Sequence, residues 1–228
     1  MTYTHRAIPD QNPRRDPIPI ENAPFSQLAH DHRNAKTRAA MAQAGLEGLF
    51  VTDPSNQASL TGYDGWSLYV HQGVIRALDG DPVWWGHLHD TRGGQRIVWM
   101  HDDNVLGYAD HHVQSIIRHL MQGLAAQLRD KGHHTAHIGF EMENDHDGAK
   151  AHAILTTELP NATLADTTTL VNWQRAVKSP EEVTFIRKTA RISGKIAQLA
   201  IERTEPGLKK NQLVGDITQA AEYGVHKD

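Results

Sequence analysis

The segment Leu60–Ile75, LTGYDGWSLYVHQGVI, holds the densest mixture of aromatic and polar side chains in the chain. Tyr63, Asp64, Trp66, Tyr69, His71 and Gln72 all fall in the stretch 63–72. Gly62 and Gly65 suit bends around Tyr63 and Asp64, because glycine turns without steric cost. Indole and phenol faces attract cations, a carboxylate accepts hydrogen bonds from them, and imidazole or carboxamide N–H groups donate to anions. Two readings stand side by side. Either these side chains line a desolvated pocket for a small polar ligand, or Tyr63 and Trp66 pack at a bend while Asp64 caps a turn.

Histidine is the other unusual feature, with 16 in the chain. Many lie close together: His87 and His89, His111 and His112, and His133, His134 and His137. Imidazole is a common metal ligand. No stretch, however, has the H-E-x-x-H arrangement or a partner carboxylate at ligand spacing. These residues therefore read as surface and loop histidines, and no metal ligand is assigned. His226 reads as a chance terminal histidine. The absence of cysteine excludes disulfides, thiol catalysis and thiolate metal sites. No dinucleotide-binding, P-loop or nucleophile-elbow motif is present.

The elements that position these residues follow from periodicity. Ser26 suits the N-cap of a helix running to Gly45, with a thin apolar face of Leu28, Ala35, Ala39 and Ala42. Leu49–Thr52 reads as a strand and Asp53-Pro54-Ser55-Asn56 as a turn. Leu68–Ile75 and Pro82–Trp85 read as strands joined by the hairpin Leu78-Asp79-Gly80-Asp81. A further turn at Arg92-Gly93-Gly94 precedes a strand at Ile97–Met100, so the centre reads as hairpin-connected strands. Asp110 is expected to cap a helix whose stripe is Val113, Ile116, Ile117, Leu120, Leu124 and Leu128, ended by Gly132. A strand at His137–Phe140, a helix at 147–158 and a strand at Ala162–Asp166 follow. Trp84, Trp85 and Trp99 are expected in the sheet core or at a dimer surface rather than on a ligand.

The clearest single element begins at Ser179-Pro180-Glu181-Glu182. Ser179 and Glu182 can form a reciprocal capping box, and Pro180 suits the first helical position. The helix runs to Glu205-Pro206-Gly207, with its basic residues Arg187, Lys188, Arg191 and Lys195 on a solvated face. A short helix, Lys210–Tyr223, ends the chain.

Composition narrows the class. The 228 residues are 39% hydrophobic and 22% charged, with net charge −4. That is the composition of a globular protein without a broad basic surface for nucleic acid. No apolar run approaches the roughly 18 residues of a membrane span, and no secretory h-region is visible. A cytoplasmic protein is expected.

The segments VTDPSNQASLTGYDGWSLYVHQGVI (51–75), PVWWG (82–86) and VNWQRAVKSPEE (171–182) resemble the ectoine hydrolases. These belong to the creatinase, prolidase and aminopeptidase P superfamily. Lys178-Ser179-Pro180-Glu181-Glu182 marks the superfamily, whereas Gly62-Tyr63-Asp64-Gly65-Trp66 and VNWQRAVK are more specific. The resemblance implies an α/β fold: a creatinase/prolidase-type N-terminal domain with a mixed sheet flanked by helices. The first helices of a truncated pita-bread domain follow it. The expected organisation is a Pro-rich lead at 1–23, the α/β domain at 24–172, and an incomplete catalytic domain at 173–228.

The implied reaction opens the cyclic amidine of ectoine to N-acetyl-2,4-diaminobutyrate. Catalytic and metal-binding positions lie in the pita-bread domain of relatives, so no residue here is assigned to catalysis, metal or cofactor. The creatinase branch works without metal, while aminopeptidase relatives use two. In creatinase-type dimers the N-terminal domain covers the partner's active site. Ectoine or hydroxyectoine would then meet Tyr63, Asp64, Trp66, Tyr69, His71 and Gln72, with Trp66 and Tyr69 stacking on the ring. Asp64 would pair with the amidinium, and His71 or Gln72 would donate to the carboxylate. The chain is thus expected to be the N-terminal portion of an ectoine hydrolase, inactive alone. The alternative is a non-catalytic dimerisation or ligand-binding module of the same fold, and no nucleic-acid or membrane partner is expected.

Overall fold

A computed structural model describes residues 23–67 and 70–223. The chain divides into two compact units, the first ending at Arg175 and the second starting at Ala176. Residues 1–22 of the Pro-rich lead, Tyr69 and His226 lie outside the described residues.

The first unit is built on a six-stranded sheet in the order β4-β3-β2-β1-β5-β6. Its strands are β1 Gly48–Val51, β2 Gly73–Ala77, β3 Val83–His87, β4 Val105–Tyr108, β5 His137–Phe140 and β6 Thr163–Asp166. β2 runs antiparallel to β1 and β3, and the remaining pairs are parallel. The sheet is therefore mixed, as an α/β fold of this kind requires.

Its central strands read as continuous apolar runs because both faces are covered. Successive side chains alternate between two cores. Phe50, Ile75, Trp85, Ile138 and Phe140 face Leu120, Met121, Leu124, Leu128 and Leu155. These belong to α4 (Leu120–Asp130) and α5 (Ala149–Glu158). On the other face Leu49, Val51, Val74, Trp84 and Val105 pack with Met41, Leu60 and Val171. Those three come from α1 (Gln27–Gln43), α2 (Pro54–Thr61) and α6 (Leu170–Ala176). The adjacent Trp84 and Trp85 are both fully buried, one in each core.

Several expectations are corrected. Asp53-Pro54-Ser55-Asn56 is not a turn: Asp53 accepts from the Asn56 N–H at 2.9 Å and caps α2, with Pro54 in its first turn. Arg92-Gly93-Gly94 lies inside α3 (Thr91–Ile97). That helix carries the chain across to β4, parallel to β3, so the centre is not a run of hairpins. Of the strand expected at Ile97–Met100, Ile97 closes α3 and 98–100 are irregular chain. Asp110 opens a 3-10 turn, Asp110–His112, and α4 starts only at Leu120, capped by His119. Ile116 and Ile117 are consequently exposed. In α1 the buried face is His30, Asn34, Thr37 and Met41, while Leu28 is exposed. Asn34 can be buried there because its side-chain N–H groups reach the carbonyls of His30 and Leu60.

The second unit contains α7 (Pro180–Arg203) and α8 (Lys210–Tyr223). The Ser179 hydroxyl accepts from the Glu182 N–H at 3.1 Å, and the Glu182 carboxylate accepts from the Ser179 N–H at 2.7 Å. The capping box is complete.

Candidate functional site

Parallel strands expose their carboxyl ends along one edge of a sheet, where α/β proteins commonly place ligands. Here β1, β3, β4 and β5 run toward that edge, and β2 starts from it. The residues flanking those strand ends are Thr52 and Asp53, His71 and Gln72, His87, Asp110, and Glu141. Chain direction alone gathers them from distant parts of the sequence.

His71 and Gln72 border a cleft of about 240 Å³, shared with Ser67, His146 and Asp147. The Nδ1–H of His71 donates to the carbonyl of His146 at 3.0 Å, and the Tyr108 hydroxyl donates to the carbonyl of His71 at 2.8 Å. With Nδ1 engaged, Nε2 is the ring nitrogen of His71 that can meet a ligand. One carboxylate oxygen of Asp147 is buried without a hydrogen-bond partner. Burial pushes the Asp147 carboxyl up from its ordinary range, and the nearby His71 pulls against that rise. His119, whose ring lies 5.9 Å from that of His71, is pushed down by burial and then by His71. The cleft thus pairs an under-satisfied acidic group with an imidazole, a donor set suited to a small cationic or zwitterionic molecule.

The other residues of 63–72 separate into two groups. Tyr63 is buried against Trp84, ring centroids 4.9 Å apart, and its hydroxyl donates to the Gln72 side chain at 3.4 Å. Gln72 in turn donates to the Gly65 carbonyl at 3.4 Å. Those two side chains hold the loop on itself. Asp64 and Trp66 project from it, Trp66 being 65% exposed. The structure brings His71 and Gln72 to the cleft and leaves Asp64 and Trp66 on the loop's outer side.

Beside the cleft lies a buried polar network that periodicity does not reveal. Glu141 accepts from the N–H groups of Thr52 and Asp53, both at 2.7 Å, and from the Asn56 side chain at 2.5 Å. Asn56 also donates to Asn172 at 2.8 Å and accepts from Arg175 at 2.6 Å. Burial pushes the Glu141 carboxyl up to about 7, against the pull of those donors. His146, Asp147 and Glu141 lie in the polar run EMENDHDG (141–148), whose composition gives no hint of its distant partners. Likewise the carboxylate that meets His87 is that of Asp110, 3.1 Å away in space and 23 positions along the chain.

Comparison with known proteins places this geometry. The model of the creatinase/prolidase N-terminal domain matches residues 33–177. The chain is 45% identical over 195 residues to an ectoine hydrolase of Halomonas elongata, a match covering 85% of this chain and 49% of that protein. The chain spans about half the length of the curated relatives it matches. A prolidase from Thermococcus sibiricus superposes with a TM-score of 0.69 at 16% identity, covering 89% of this chain and 52% of that one. A Bacillus anthracis Xaa-Pro dipeptidase gives 0.63 at 14%, covering 85% and 49%. At such identities these two structures support the fold alone.

Proposed function

The chain belongs to the creatinase/prolidase N-terminal domain family, and from that premise we propose that it forms the substrate-covering part of an ectoine hydrolase. The observation that carries the reading is the 45% identity to the Halomonas elongata ectoine hydrolase, maintained over 195 residues. That enzyme's length is about twice the matched part, so ring opening is assigned to no residue here, and these residues alone do not turn over ectoine.

In this reading two copies associate, and the segment 63–72 of one closes over the substrate held by the other. Ectoine joins a delocalised amidinium cation to a carboxylate. Trp66, which is exposed, offers its face to the cation, and Asp64 offers a charge partner. Tyr69 is assigned the second stacking face. His71 donates to the substrate carboxylate, and Gln72 positions the loop by bridging Tyr63 and Gly65. A cytoplasmic location goes with this reading. Among the described residues no helix is long and apolar enough to cross a membrane.

The test is a chimera in which this chain replaces the matching half of the Halomonas elongata enzyme. It should open ectoine with a KM near that of the parent. Trp66→Ala in the chimera should raise KM by about 2- to 30-fold, the equivalent of a cation–π contact of ~0.5–2 kcal/mol. A folded chimera that leaves ectoine intact overturns the reading. Turnover by the 228-residue chain alone overturns the assignment of chemistry elsewhere.

A further inference from the structure

A second chemical constellation sits at the outer end of the same sheet edge, on β3 and the edge strand β4. His87 is the last residue of β3 and is paired in register with Tyr108, the last of β4. The two chains then turn away through short 3-10 segments, Leu88–Asp90 and Asp110–His112. The first carries His89 and the second Asp110. One ligand atom from each of His87, His89 and Asp110 lies within 4.8 Å of the other two.

We propose that His87, His89 and Asp110 bind a divalent transition-metal ion of the zinc class. Zinc holds nitrogen and carboxylate oxygen donors at roughly 2.0–2.2 Å, which places tetrahedral donors about 3.4 Å apart. His87 Nε2 and Asp110 Oδ1 stand 3.1 Å apart, already at that spacing. Only His89 must close in. It is exposed, with its ring edge-on to that of His87 at 4.8 Å between centroids, so a change of side-chain rotamer is enough.

His87 is the fixed member of the set. It is 9% exposed, and its ring packs against Tyr108 at 5.6 Å between centroids. The segments carrying the other two ligands are pinned as well. The Thr91 hydroxyl donates to the Leu88 carbonyl at 2.7 Å, and the Val113 N–H donates to the Asp110 carbonyl at 2.9 Å. Donors on strand ends and pinned turns suit a metal better than donors on long loops.

The donor types select the ion. Two imidazoles with one carboxylate suit zinc, nickel or copper, whereas magnesium and calcium favour all-oxygen shells. Three protein ligands leave a coordination position for water or for a donor from another molecule. A plain His87–Asp110 ion pair accounts for two of the residues but not for the convergence of His89 on them. The pair is also open to solvent at Asp110, where such contacts stabilise little. Bound metal would tie the two segments together across the β3–β4 edge, independently of ectoine.

The experiment is zinc titration of the tag-free full chain after chelator treatment, by competition with a chromophoric chelator. A parallel cobalt titration reads coordination from visible absorption. The expected result is one saturable site. His89→Ala and Asp110→Asn, both exposed positions that leave the tryptophan fluorescence unchanged, should each weaken it at least about tenfold. His133→Ala/His134→Ala should leave it intact. The proposal is overturned by wild-type affinity in either ligand variant. It is equally overturned by loss of the site in the His133/His134 variant, or by the absence of saturable binding.

Discussion

Replacing Glu141 by glutamine sets two opposing effects of known sign against each other. Burial drives the carboxyl toward its neutral form, while the Thr52 and Asp53 N–H groups and the Asn56 side chain favour the carboxylate. Desolvation is the larger effect, and the folded-state value rises from 4.5 to about 7. Between those pH values the folded chain keeps a proton that the unfolded chain has released. Stability therefore falls as pH rises through that window and levels off above about 7. At ~1.36 kcal/mol per pH unit the fall amounts to roughly 3 kcal/mol. Glutamine does not titrate, so Glu141→Gln should lack this component. The measurement is urea unfolding of both proteins from pH 4.5 to 8, followed by tryptophan fluorescence. All 5 tryptophans, at positions 66, 84, 85, 99 and 173, lie in the unit that contains Glu141. Subtracting the variant's curve removes the many histidines that titrate in the same range. The wild type should lose about 3 kcal/mol relative to the variant between pH 4.5 and 7.5. Parallel curves would refute the reasoning. A wild type that instead loses stability relative to the variant as the pH falls below 5 would show that the three donors outweigh burial.

Two other perturbations probe the loop and the second unit. A Cβ at Gly65 would stand 2.5 Å from the Tyr63 hydroxyl, and Tyr63 has little room to yield because it is wedged against Trp84. Gly65→Ala should cost about 1–3 kcal/mol in urea unfolding, and an unchanged midpoint would show that the loop can detach freely. Ser179→Ala removes the acceptor for the Glu182 N–H. A lost cap of about 1 kcal/mol should speed amide exchange at Glu182 roughly fivefold, with α8 unaffected.

What was legible in the sequence follows from which forces are local. The capping box at Ser179, the strand His137–Phe140 and the helix Lys210–Tyr223 depend on neighbours a few residues away, and pattern reading found them. α2 shows the limit of that reading. Asp53-Pro54 is both a turn former and a helix start, and only the fit of Leu60 into the core decides between them. α3, with its two glycines, has weak intrinsic helicity and is held by packing between β3 and β4. The missed strand β4, VLGY, is too short to show alternation.

The chemistry was least legible because it rests on buried polar contacts, which have no period. α1 makes the point in miniature. Its alanines suggested an inward face, yet His30, Asn34 and Thr37 are inside, each able to bond a backbone carbonyl. The same holds at the strand ends. His71 meets His146 across 75 positions, Thr52 meets Glu141 across 89, and His87 meets Asp110 across 23. Local spacing between histidines therefore does not show which side chains meet at the strand ends of this chain. A parallel pair of strands brings together side chains from two segments separated by a whole crossover, and Asp110 meets His87 and His89 from one crossover away.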